Sequence, residues 1–158
     1  MIKNPTIRQA LANIEKSVQA RAAYNKIVKA GTAAIYDKAM FQKLTADIQK
    51  SGDPVKTVSE GMIGILGLLY QKSNKTMPIP PMVLAGMALL LDALDFMEQS
   101  GLVKIDKAEL NRATTMYVNS LLPKFGLTPD KLGAALGPLQ GAIQDPNKLA
   151  QMRQSAGA

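Results

Sequence analysis

Four times along the chain, a residue able to cap a helix stands directly before a proline. The pairs are Asn4-Pro5, Asp53-Pro54, Thr128-Pro129 and Asp145-Pro146. The first side chain can accept a hydrogen bond from an orphan backbone N–H, and proline fits the first helical position because its missing N–H is not needed there. Each pair predicts a helix start, so helices should occupy the whole length of the chain.

The apolar residues between these starts follow a helical period. Ile7, Leu11, Ile14 and Val18 are spaced by four, three and four positions, which places them on one helix face. We expect this helix to bend or break at Gly31. Further helices are expected over 32–50, 54–72, 81–100, 107–122 and 128–143, with a short last one from 146.

Composition favours one all-α domain. The chain has 158 residues, of which 47% are hydrophobic and only 4% aromatic, and no stretch alternates as a β-strand does. We predict six or seven helices in a single helical-bundle-like domain. It would comprise an extended basic helical arm (1–50), a compact helical body (53–153) and a frayed tail (154–158).

The chain contains few of the residue types that usually carry out catalysis. The chain contains no Cys and no His, so thiolate chemistry and the usual acid–base group near neutral pH are absent. Asp92, Asp95 and Glu98 recur every three residues and suggest either a metal or acid–base site or, as we favour, the solvated face of a helix. We expect no enzyme activity, no metal site, no cofactor and no small-molecule substrate.

Positive charge is concentrated in the N-terminal third. Residues 1–50 hold nine Lys or Arg against three acids, whereas the rest of the chain holds ten against nine. This asymmetry predicts an anionic partner, namely nucleic acid, a lipid surface or an acidic protein, although a solvated basic face explains it as well. The candidate contact residues are Arg8, Lys16, Arg21, Lys26 and Lys29.

The aromatic residues and glycines give weaker indications of function. Tyr24, Tyr36 and Phe41 are too few to predict a platform for stacking nucleic-acid bases. Gly61, Gly64 and Gly67 lack the Gly-Lys-Ser/Thr ending of a phosphate loop. A second set spaced by four predicts tight helix packing or an oligomer contact, with lipid-facing use as the alternative. This set is Gly133, Gly137 and Gly141.

Neither a signal peptide nor a transmembrane helix is expected. The residues after Met1 form an amphipathic pattern instead of an apolar signal core. The longest apolar stretch, 81–91, is too short to span a bilayer.

Part of the chain resembles a known class of proteins. The segments 80–86, 92–98 and 101–110 are similar to small structural proteins of tailed bacteriophages, over residues 80–113 as a whole. In its size, its basic start and its lack of Cys and His, the chain is similar to small internal virion proteins of podoviruses, including the N4-like group. The resemblance implies a homo-oligomeric protein in the capsid interior or tail, in contact with other virion proteins. On ejection it would reach the host envelope and help form a conduit for DNA.

Two other functions stay open at this point. The basic N-terminal segment suits a protein that binds nucleic acid without sequence preference. The amphipathic helices suit a protein that acts on membranes.

Overall fold

The computed structural model describes residues 2–18 and 20–125, which form six helices and no strand. The all-helical fold is therefore confirmed. The helices expected at 128–143 and from 146, and the tail 154–158, lie outside the described residues. The six are α1 (Pro5–Ser17), α2 (Arg21–Ile35), α3 (Lys38–Ser51), α4 (Pro54–Lys72), α5 (Ile79–Gln99) and α6 (Lys107–Phe125).

Local capping explains where several helices begin. Asn4 Oδ1 accepts hydrogen bonds from the backbone N–H groups of Thr6 and Ile7, at 2.9 and 3.1 Å. Asp53 caps α4 in the same manner, and a proline occupies the first position of both helices. These starts confirm the helix positions expected from the capping pairs.

Helix α5 forms the centre of the core. Every residue from 81 to 91 is buried, and α1, α2 and α4 all pack against this helix. Helix α6 packs mainly on α4 and runs parallel to it, since Arg112 lies beside Asp53 at one end and Phe125 beside Tyr70 at the other. One continuous cluster of buried side chains joins the six helices.

The N-terminal third does not stand apart as an arm. Ile7, Ile14, Tyr24 and Ile27 are buried in the same core cluster as the residues of α5. The apolar face of each basic helix is covered by the body because leaving it in water would forfeit its hydrophobic stabilisation. The basic segment is therefore one wall of the bundle.

Of the bend or break expected at Gly31, the break is not found. The chain leaves helical geometry at Val18, whose backbone is extended, and α2 then continues through Gly31 to Ile35. A Cβ built at Gly31 would overlap the side chain of Leu89 on α5. Gly31 therefore serves the close approach of α2 to α5, which outweighs the cost of a glycine inside a helix.

Helix α6 also continues past Pro123, before which we expected it to end. It reaches Phe125, with Pro123 in its last turn. The edge-to-face contact of Phe125 with Tyr70, at a ring distance of 5.6 Å, holds this last turn against α4.

Helix α5 is long and apolar enough to cross a membrane by length and composition alone. Within this fold, 78% of its most apolar window is buried among the other helices. The central helix of a folded core has the same composition, so α5 is weak evidence of a membrane span.

Candidate anionic-partner surface

The five cations predicted to meet an anionic partner all lie on the outside of α1 and α2. Arg8, Lys16, Arg21, Lys26 and Lys29 are each exposed. Their helices turn the opposite faces toward α5, so the cations point away from the core. All five are therefore accessible to a partner, and their role in binding an anionic one stays a prediction.

Two of the five already have partners within the chain. Arg21 forms an ion pair with Glu15 at 2.9 Å and also donates to the backbone oxygen of Glu15 at 2.8 Å. Arg8 Nη2 donates to the backbone oxygen of Ile2 at 2.8 Å but keeps its full charge. The Arg21–Glu15 pair joins α1 to α2 across the break between them, so Arg21 has less charge to offer a partner.

Lys26 and Lys29 form the clearest cationic pair of this surface. They lie three positions apart on α2, which places their Cβ atoms about 5–6 Å from each other. Neither makes an ion pair with any residue in the described part of the chain. The outward stripe of α2 also carries Ala22 and Ala33, whose short side chains leave the helix open to close approach.

Further exposed lysines lie on α1 and α3 and just before α1. Lys3, Lys16, Lys38, Lys43 and Lys50 are exposed, and none pairs with an acid among residues 2–18 and 20–125. Asp37 accepts a hydrogen bond from the backbone N–H of Met40 as the cap of α3. The acids of this third are too few and too occupied to neutralise the basic surface.

The acidic residues of α5 do not form the solvated face that we favoured. Asp95 is only 1% exposed, and Asp92 and Glu98 are half-buried. Asp95 accepts hydrogen bonds from the backbone N–H groups of Lys3 and Asn4, and from Gln99. The prediction was wrong because the N-terminal segment folds back over this face of α5 and supplies donors for its carboxylates.

Asn4 joins three parts of the chain at this point. Its Nδ2 donates to Glu98 Oε1 at 2.9 Å and to the backbone oxygen of Ile105 at 2.8 Å, while its Oδ1 caps α1. Glu98 also accepts from the backbone N–H of Ile105. These carboxylates therefore hold α1, α5 and the loop before α6 together, and they have a structural role.

A metal site is not found among the described residues, where no three acidic side chains converge on one point. The chain has no His or Cys ligand to add. A small apolar cleft of about 30 Å³ lies between α2, α3, α4 and α5, lined by Ile35, Leu44 and Met62 among others. Ligand pockets usually enclose roughly 300–1,000 Å³, so this cleft is too small for a metabolite.

Two of the three glycines of α4 lie on an open face, whereas the glycines spaced by four lie beyond the described part. Gly61 and Gly64 are exposed, and a Cβ built at Gly64 would meet nothing within 4 Å. Leu68, one turn further, is 53% exposed. The predicted packing or oligomer contact falls outside the described residues. Its members are Gly133, Gly137 and Gly141.

Tyr36 is the residue of this surface that sequence reasoning missed. It is the C-cap residue directly after α2, three and seven positions beyond Ala33 and Lys29, and is 43% exposed, whereas Tyr24 is buried. The three-and-four spacing of Lys26, Lys29, Ala33 and Tyr36 was visible in the sequence. Because Tyr36 was grouped with Tyr24 and Phe41, its position in register with the two lysines was overlooked.

Comparison of the chain with protein-family models, with curated proteins and with solved structures gave no match. The resemblance of residues 80–113 to phage structural proteins therefore stays a prediction. Much of that segment is α5 and the cap of α6, where burial and capping alone would select apolar residues and an Asp at these positions.

Proposed function

We propose that this chain is a non-enzymatic protein that binds nucleic acid through phosphate contacts on the outer surface of α1, α2 and α3. The observation that carries the proposal is the unpaired lysine pair, Lys26 and Lys29, on an open helix stripe. Lysine side chains that replace condensed counterions on a phosphate backbone stabilise such complexes without reading sequence. Binding of this kind needs no hydrogen bonds to the edges of the bases.

Nucleic acid fits this surface better than a lipid bilayer does. A helix that lies in a membrane interface must turn a large apolar face toward the acyl chains. The apolar faces of α1 and α2, with Ile7, Ile14 and Ile27, are already buried against α5. The exposed positions of α2 carry basic residues, alanines and Asn25, which suits a polyanion in water.

The test measures binding of a labelled DNA duplex by fluorescence anisotropy over a range of salt concentrations. We expect affinity to fall with salt, with a slope of about −0.9 for each phosphate contact. The double variant Lys26→Glu, Lys29→Glu should weaken binding and flatten that slope. Lys72→Glu, Lys75→Glu is the matched control, because it makes the same charge change at exposed positions on α4 and the following turn.

Two results would contradict the proposal. One is the absence of binding at low salt to both duplex and single-stranded DNA. The other is equal weakening by the two double variants, because binding would then follow net charge and not this surface.

We propose as a second function a homo-oligomeric virion component of a tailed phage, delivered to the host envelope during genome ejection. Its support is the resemblance of residues 80–113, together with the open face of α4 at Gly61, Gly64 and Leu68, which leaves room for a second copy. A virion protein placed near packaged DNA would also have use for the basic surface.

Light scattering after gel filtration, at two protein and two salt concentrations, tests the second function. A discrete oligomer that resists salt would support it, and Leu68→Asp should reduce its mass while Leu102→Asp, at another exposed leucine, should not. A monomer under every condition would count against the assembly.

A further inference from the structure

We infer that this surface takes single-stranded nucleic acid, with one base stacked on the ring of Tyr36 and the backbone following Lys29 and Lys26. The inference rests on the proposed function and specifies its ligand. Three observations carry it: the exposure of Tyr36, the way its ring is held, and its register with the two lysines.

Tyr36 is an exposed aromatic residue at the end of a cationic stripe. It stays 43% exposed although it contacts Asp92 and Phe96 of α5. By the helical rise of 1.5 Å per residue, Lys29 lies about 10 Å before it and Lys26 about 15 Å before it. Both distances lie within the reach of a few nucleotides of one strand and of long lysine side chains.

The ring of Tyr36 is held in one orientation. Its hydroxyl donates to Asp92 Oδ2 at 2.9 Å, and its ring meets that of Phe96 edge-to-face at 5.3 Å and 88°. Phe41 also packs edge-to-face on Phe96, with the ring centroids 5.6 Å apart. A ring fixed before binding loses little freedom when a base stacks on it, so more of the stacking energy appears as affinity.

The chemistry favours a single strand over a duplex. Bases in a duplex are already stacked on each other, whereas those of a single strand offer a free face to an aromatic side chain. Asp92 repels phosphate, but its Oδ2 is engaged by the Tyr36 hydroxyl, and the phosphates would follow the lysines on the outward stripe.

The first experiment compares a thymidine oligonucleotide with a duplex in binding to the full chain and to two variants. Tyr36→Leu should weaken single-strand binding by about 5- to 150-fold, since stacking contributes roughly 1–3 kcal/mol per base and 1.4 kcal/mol is tenfold. Tyr36→Phe should lose much less affinity, because it keeps the ring and its contact with Phe96 and removes only the hydrogen bond to Asp92. Duplex binding should stay within about twofold for both, because phosphate contacts alone carry it.

Unchanged single-strand binding by Tyr36→Leu, or equal weakening toward single strand and duplex, would overturn the inference. Neither result would contradict the proposed function, because that function is tested with the Lys26→Glu, Lys29→Glu variant and not with Tyr36.

A second measurement uses the unaltered protein and does not depend on a variant that folds. A bromodeoxyuridine oligonucleotide is photocrosslinked to the chain, which is then digested with trypsin. We expect the crosslink in peptide 30–38, where Tyr36 is the one aromatic residue, and not in peptide 39–43, which contains Phe41. A crosslink confined to other peptides would overturn the assignment.

Discussion

The backbone N–H of Asn4 donates a 2.8 Å hydrogen bond to Oδ1 of Asp95, a carboxylate 91 positions away and almost completely buried. No cation neutralises Asp95 within the described part of the chain. Backbone N–H groups and Gln99 supply the donors instead. Stability of the N-terminal helix therefore depends on an acid of the central helix.

Asp95→Ala should destabilise the protein and loosen α1 from α5. The change leaves the buried N–H of Asn4 without an acceptor, which costs about 1–3 kcal/mol, in addition to the lost bond from Lys3. Thermal unfolding should shift down by about 2–4 °C per kcal/mol for a chain of this size. Glu60→Ala, at an exposed acid, is the control and should change stability by no more than about 0.5 kcal/mol. Equal shifts for the two variants would contradict the placement of Asp95.

Gly86→Ala and Gly64→Ala should change stability in opposite directions. A Cβ at Gly86 would overlap Tyr117 Oη and Leu66 Cδ1, and such overpacking costs about 1–3 kcal/mol. A Cβ at Gly64 would meet nothing within 4 Å, so the better helix propensity of alanine should stabilise α4 by up to about 1 kcal/mol. Urea unfolding midpoints measure both. A loss of stability at Gly64 would show that this face of α4 is already covered.

The sequence predicts the parts of this fold that depend on near neighbours. Asn4 and Asp53 cap helices through backbone groups two or three positions away, and both starts were predicted. The sequence between the end of α1 and the start of α2 contains neither Gly nor Pro, whereas Gly31 lies inside a helix. Only the distant partner Leu89 explains why Gly31 is there.

For the candidate surface too, the sequence predicts some features and not others. The exposure of Lys26 and Lys29 follows from helical spacing against an apolar seam. The burial of Asp95 does not follow from helical spacing, because it depends on contact with the distant residues Lys3 and Asn4. Helical spacing likewise does not predict that Tyr24 is buried while Tyr36 is exposed.

Asp53 should make the protein sensitive to acid. Both of its oxygens accept bonds from Arg112 at 2.9 Å, and this hydrogen bonding is the main reason that the pKa of Asp53 lies below its ordinary value of 3.8. A lowered pKa contributes stability above 3.8 that is lost as the pH falls through the folded-state pKa. Because the pair is partly exposed, its contribution is at most about 1 kcal/mol.

Arg112→Met should therefore reduce stability at neutral pH and flatten its decline below about pH 4. Denaturant unfolding at a series of pH values measures this decline. Lys104→Met, at an exposed residue with no ion pair in the described part, should leave the profile unchanged. An unchanged profile for Arg112→Met would contradict the pairing.

Tyr117 should make the protein sensitive to alkali. Its hydroxyl is buried and donates to the backbone oxygen of Val83 at 2.9 Å, and burial raises the pKa of this phenol well above its ordinary value of 10.0. Below pH 10 the phenol is neutral in both states and the stabilisation is complete. Above pH 10 the unfolded state ionises first, so stability is lost as the pH rises toward the folded-state pKa.

Tyr117→Phe should thus cost about 0.5–1.5 kcal/mol near neutral pH, through the lost bond to Val83. At about pH 11 this cost should fall by about 1.4 kcal/mol, so that it vanishes or reverses sign, because only the tyrosine must resist ionisation. Guanidinium unfolding at about pH 8 and about pH 11 measures both differences. Ile63→Val, a buried change of about 0.5–1.5 kcal/mol without a titrating group, should cost the same at both. A gap for Tyr117→Phe that does not change with pH would show that the phenol is not sealed between α4, α5 and α6.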